Sequence, residues 1–171
     1  IEGNVLKEIC LNGSGRNYDY CVSTIPLPYL VKIAPGLPNE YTEIVKGINN
    51  IGVICVVFGL RYPLTGNFWL NINDPRIDIP GLIEYSNLRP LDCSIVYSPF
   101  YLPHTHPKWL QEDAERIVEV KNYLAMINPE FQEDWIHSAS VFRYRFAQPI
   151  CTPGFFSKMP PAGKATGKMA A

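Results

Sequence analysis

Apolar residues recur along this chain with two periods, and the periods mark its strands and helices. From Gly52 to Leu60 the run GVICVVFGL is apolar at every position, which predicts a central strand covered on both faces. Cys55 inside it reads as a small core residue. Ile136 to Ala147 behaves differently. Phe142, Tyr144 and Phe146 alternate with Arg143 and Arg145, the period of two that gives a strand two chemically distinct faces. Between these strands, Leu110, Ala114, Ile117, Val120, Leu124 and Ile127 recur every three or four residues. That spacing predicts one long helix at about 107–127, with Glu112, Asp113, Glu115, Arg116 and Glu119 on its polar side. Asn128-Pro129 stops it, because the residue before a proline is driven out of the helical region.

The shorter segments complete the layout. Val5–Ile9 and Tyr18–Ile25 read as a hairpin around Asn12-Gly13-Ser14-Gly15. Pro28–Ile33 suits a short helical turn. Pro38 suits the first position of a helix carrying Tyr41, Ile44, Val45 and Ile48 on one stripe. Asn67–Ile72, Gly81–Ser86 and Cys93–Leu102 are further strands. Pro99 should end or bulge the last of them, since it has no N–H to give a ladder. Past Pro149, prolines and small residues predict little regular structure. The order predicts an α+β fold: a mixed, largely antiparallel sheet covered on one face by helices.

Charge and cysteine usage narrow the class. Among 171 residues, 15 Lys and Arg nearly balance 16 Asp and Glu, so no basic stripe invites nucleic acid. The five cysteines are odd in number and include no C-x-x-C pair. Disulfide frameworks and zinc sites are therefore poor readings, and a reducing, cytoplasmic home is the expectation. The longest apolar run, Ile51 to Leu60, is about half of the ~20 residues that cross a bilayer, although a longer parent could attach peripherally to a membrane. A chain that starts at Ile1 fits a fragment.

Catalytic kits are incomplete. Gly13-Ser14-Gly15 gives a G-x-G before a strand, whereas dinucleotide binding needs the glycines between a strand and a helix. His104 and His106, with Asp92 or Glu112, form too loose a set for a metal between Pro103 and Pro107. Ser98 and Ser138 have no evident base. What stands out is a set of polar groups inside aromatic strands: Trp69, Asn71, Glu84, Tyr97 and Tyr144. Aromatic walls with a few placed polar groups suit a binding pocket. A sheet with one solvated face explains the same alternation, and spacing leaves both readings open.

Read in order, several stretches resemble a known family. Asp19-Tyr20-Cys21-Val22-Ser23-Thr24-Ile25-Pro26 is similar to the D-x-V-I-S-T-x-P stretch of flavin-containing amine oxidases and protoporphyrinogen oxidases. GVICVVFGL, FWLNIND, IEYSNL, YSPFYLP, INPEF and FRYRFAQPI follow in the family's order. The likeness runs from Asp19 to Ile150 and is greatest to the bacterial and archaeal protoporphyrinogen-oxidase-like branch. The Gly-rich turn that opens that family and the Gly-rich segment that closes it are not in this chain.

The resemblance implies a parent that oxidises a small-molecule substrate by hydride transfer to FAD. Residues 1–25 would be a remnant hairpin of the FAD-binding domain, 26–150 the substrate-binding domain and 151–171 an irregular tail. Thr24 and Pro26 would touch the cofactor. The sheet face with Trp69, Asn71, Glu84, Tyr97 and Tyr144 would meet the substrate. This chain alone would be inactive and bind no FAD. Its partners would be the missing FAD-binding segments, and without them it would self-associate. The alternative is a stand-alone binding or interaction module derived from the same domain.

Overall fold

A computed structural model describes residues 6–160. They form two compact units: Ile51–Ala147, and the residues up to Asn50 together with those from Gln148 on. The division falls after Asn50 and after Ala147. Within the unit that holds both ends, Ile150 N–H donates to Asn49 O at 2.8 Å.

In the unit containing the chain ends, β1 (Ile9–Leu11) and β2 (Ser14–Arg16) form a small antiparallel hairpin. Asn12 (φ 50°) and Gly13 (φ 79°) both take the left-handed conformation of a tight two-residue turn. The expected pairing with Tyr18–Ile25 is thereby corrected. The turn closes on Leu11 and Ser14, so the register runs out at Ile9↔Arg16, and Tyr18–Ile25 is irregular, with Tyr20 and Val22 exposed. Val5 lies outside the described residues. Two helices follow, α1 (Leu27–Ile33) and α2 (Asn39–Lys46), entered through Pro26 and Pro38. Pro38 thus stands one position before its expected place. Val45 is the buried residue of the α2 stripe. The expected irregular tail holds one helical turn, Phe155–Lys158, which buries Phe155; 161–171 lie outside the described residues.

The other unit is built on five strands, two of which overrun its bounds by a residue or two: β3 (Asn50–Leu60), β4 (Trp69–Asn71), β5 (Gly81–Glu84), β6 (Ser94–Leu102) and β7 (Ile136–Pro149). Their order is β4-β5-β6-β3-β7. The pairs β4–β5, β5–β6 and β6–β3 are antiparallel. Gly52 faces the Tyr144 carbonyl and Gly59 faces Ser138, so β7 runs antiparallel to β3 as well. The fold is α+β, and its main sheet is antiparallel throughout. Pro99 does not end β6: the ladder with β3 continues through Cys55↔Pro99 to Gly52↔Leu102. It is the ladder with β5 that stops short of the proline, at Ile83↔Tyr97.

The core lies on one face of this sheet. Ile54, Val56, Phe58 and Leu60 of β3 and Val96 and Phe100 of β6 are sealed from solvent by Val120, Tyr123 and Leu124 of α3 (Asp113–Ile127). Each fully buried aliphatic side chain of this kind stabilises the fold by about 1.5–3 kcal/mol. Two expectations about the helix are adjusted. A separate 3-10 turn spans Pro107–Leu110, and Gln111 and Glu112 are extended before α3 begins, which leaves Leu110 outside the stripe and 89% exposed. Arg116, expected on the polar side, is buried: its guanidinium pairs with Glu119 and lies over the Phe100 ring. Among the described residues no helix is long and apolar enough to cross a membrane.

Candidate functional site

The face of the sheet away from α3 carries the aromatic residues. Register settles its membership, because directly paired residues of antiparallel strands point to the same side. Trp69 pairs with Ile83, Ile83 with Tyr97 and Tyr97 with Val57, which makes one row across four strands. Beside it, Asn71 pairs with Gly81, and Tyr101 with Val53. In β7, Ala139 and Val141 pack on the core, so Ser138, Phe142 and Tyr144 belong to the opposite, open face. Trp69 is 52% and Tyr144 59% exposed. Trp69, Asn71, Tyr97 and Tyr144 therefore share one side of the sheet.

Glu84 does not share it. It pairs with Val96 of the core face and is wholly buried. The expectation that it joins the open face is corrected, and the cause is local. Its carboxylate accepts Leu64 N–H at 2.9 Å, Thr65 N–H at 2.7 Å, the Thr65 hydroxyl at 3.0 Å and the Ser94 hydroxyl at 2.5 Å. A buried carboxylate is tolerated when its lone pairs are filled. Glu84 anchors the Leu64–Thr65 loop. Cys55 is likewise corrected. It is half-buried on the open face instead of inside the core, and burial pushes its thiol pKa up.

The open face is organised at its β4 edge. The Trp69 indole Nε1–H donates to Asn71 Oδ1 at 2.8 Å, so two of the predicted residues hold one another. Arg143 and Arg145 project differently from Tyr144: Arg143 pairs with Asp113 and donates to Gln111 O at 2.8 Å, and Arg145 lies 3.2 Å from His104 Nε2. A second polar group, missed in the sequence, sits on the helix side. Lys108 Nζ bridges Asp78 at 2.5 Å and Glu119 at 2.8 Å, 4.7 Å from the centre of the Phe100 ring. Tyr123 donates to the same Glu119 at 2.8 Å, and desolvation together with that bond raises its phenol to about 12. The cluster ties the Pro107 turn to α3, and its charges are spent on each other.

Thr24 and Pro26 lie in the other unit, both exposed. The Pro26 carbonyl accepts the first N–H groups of α1, from Tyr29 at 2.9 Å and Leu30 at 3.2 Å. Binding the pyrophosphate of FAD needs a glycine-rich turn leading into a helix N-terminus. Among the described residues Gly13 and Gly15 lie in a hairpin, and the helices α1 and α2 of that unit follow prolines. These residues do not fit that half of the cofactor. No group of three or more His, Cys, Asp or Glu among the described residues is placed to hold a metal.

No protein-family model matches the sequence, and no curated protein sequence matches it. Solved structures do match the fold. A protein assigned as a protoporphyrinogen oxidase from Exiguobacterium sp. 255-15 superposes with a TM-score of 0.58 at 15% identity, over 86% of this chain and 33% of that one. An oxidoreductase from Methanosarcina mazei gives 0.56 at 16%, over 85% and 36%. Reduced UDP-galactopyranose mutase gives 0.56 at 16%, over 86% and 33%. Identities this low establish the fold alone, and the chain, spanning about a third of the length of each, has the fold of one part of these larger proteins.

Proposed function

We propose that the chain is the substrate-binding part of a flavin-dependent oxidoreductase whose FAD is held mainly by segments beyond the described residues. The observation that carries this reading is the open sheet face, on which Trp69, Asn71, Tyr97 and Tyr144 stand together while the opposite face is closed by α3. The sequence resemblance to flavin-containing oxidases and the fold likeness to an oxidase and an oxidoreductase support it. In such enzymes the flavin accepts the hydride, and the protein binds and orients the substrate. The absence of a general base on this face is therefore compatible with the role. The polar groups of the face act by placement: Asn71 at the β4 edge, and the Tyr97 and Tyr144 hydroxyls towards the centre and the β7 edge. The aromatic rings exclude water around whatever they hold.

The test compares two preparations. The intact protein, purified with the segments that flank this chain, should carry one flavin per chain. The 171-residue chain alone, incubated with FAD and desalted, should be colourless. An intact protein without flavin, or a yellow one-to-one complex of the chain alone, overturns the reading.

A further inference from the structure

The bond between Trp69 and Asn71 fixes what the open face can offer a ligand. An indole nitrogen only donates. The Asn71 atom 2.8 Å from Trp69 Nε1 must therefore be its oxygen, and the amide orientation is settled by chemistry. The Nδ2 group is left pointing away from the indole. The hydrogen bond of the Asn71 side chain within the described residues is the one to the indole, through its oxygen, and the cross-strand partner of Asn71 is Gly81, which has no side chain to meet the Nδ2 group. Asn71 thus presents both N–H groups of its amide, with one lone pair of its oxygen already engaged by the indole, beside the exposed ring of Trp69. Over the paired positions of β4, β5, β6 and β3 on this side there is no Asp, Glu, Lys, Arg or His. A charged group laid on this floor would lose water without gaining a counter-ion, which is costly.

We propose that Asn71 is a specificity-determining donor and that the open face selects an uncharged aromatic compound carrying a carbonyl-type acceptor at its edge. The ring lies on the aromatic floor by Trp69 and Tyr97, and the acceptor takes the Asn71 N–H. Trp69 is a positioning residue: it holds the amide in the one orientation that donates. The inference deepens the substrate-binding role proposed above and rests on it for biological meaning, but the chemistry belongs to this chain alone and is tested without flavin or turnover.

The experiment is a titration of the isotopically labelled chain followed by NMR, with three probes of similar size: acetophenone, uncharged with an acceptor; ethylbenzene, uncharged without one; and benzoate, charged. Acetophenone should shift the Asn71 side-chain N–H and Trp69 indole signals saturably and bind at least tenfold tighter than either other probe. Asn71→Asp keeps an oxygen for the Trp69 indole but removes the donor, so it should abolish the preference while the Trp69 indole N–H stays hydrogen-bonded, with slow exchange against solvent. A merely structural Asn71 would tolerate that change. Benzoate or ethylbenzene binding as well as acetophenone, no shift at Asn71, or unchanged acetophenone binding by Asn71→Asp each overturns the proposal. Success here with a flavin-free intact protein would refute the oxidoreductase reading and leave this one standing.

Discussion

The Glu84 carboxylate accepts the Thr65 backbone N–H at 2.7 Å, from a residue nineteen positions earlier in the chain. With Leu64 N–H and the Ser94 hydroxyl on its other oxygen, it fastens the loop that leaves β3 to the strand two places away in the sheet. Glu84→Ala strips the buried Leu64 N–H of its acceptor, and an orphaned buried donor with lost charge-assisted bonds costs about 2–3 kcal/mol. Urea unfolding should show this loss. A change under about 0.5 kcal/mol would mean the loop is held by other contacts.

The phenol of Tyr123 gives a pH dependence of known sign. Its folded pKa is raised from 10.0 to about 12, by desolvation first and by its bond to Glu119 second. In the unfolded chain the proton leaves near the ordinary value, so the unfolded state binds fewer protons in the interval between. This contribution is intact below about pH 10 and is lost as pH rises towards 12. Tyr123→Phe has no phenol to titrate, so the stability gap between it and the wild type should narrow from pH 9 to pH 11. A constant gap in urea midpoints over that range would show that Tyr123 ionises equally in both states.

The strands and the long helix were legible wherever burial is regular. The three-to-four spacing of Val120, Leu124 and Ile127 reflects one sealed face, and the alternation of β7 reflects two different ones, but the unbroken apolar run of β3, expected to be covered on both faces, has one sealed and one half-buried face. What stayed hidden was register. Parity within β4 pairs Trp69 with Asn71, and parity within β5 separates Ile83 from Glu84, but only the observed pairing Trp69↔Ile83 decides which residues face together. Glu84 also looked unfit for a core because its four donors come from a distant loop and from β6. Arg116 was assigned to the polar side for a related reason: its partners are Glu119 and the ring of Phe100, and the latter is remote in sequence.

Self-association is a further expectation. Leu11, Tyr20 and Val22 are exposed in one unit, and Phe142 and Tyr144 in the other. Exposed apolar groups in such number favour pairing. Light scattering at micromolar concentration should give a mass above the 19.3 kDa of the chain, rising with concentration. A single species of that mass at high concentration would contradict it.

The central claim is that the open face of the sheet meets substrate, and steady-state turnover of the intact protein tests it most directly. Asn71→Ala and Tyr144→Phe each remove one polar contact from that face without touching the core. A lost hydrogen bond of ordinary strength lowers the rate or the apparent affinity about three- to tenfold. The account predicts such a fall in kcat/KM for both variants with flavin content unchanged. Full activity in both variants would contradict it.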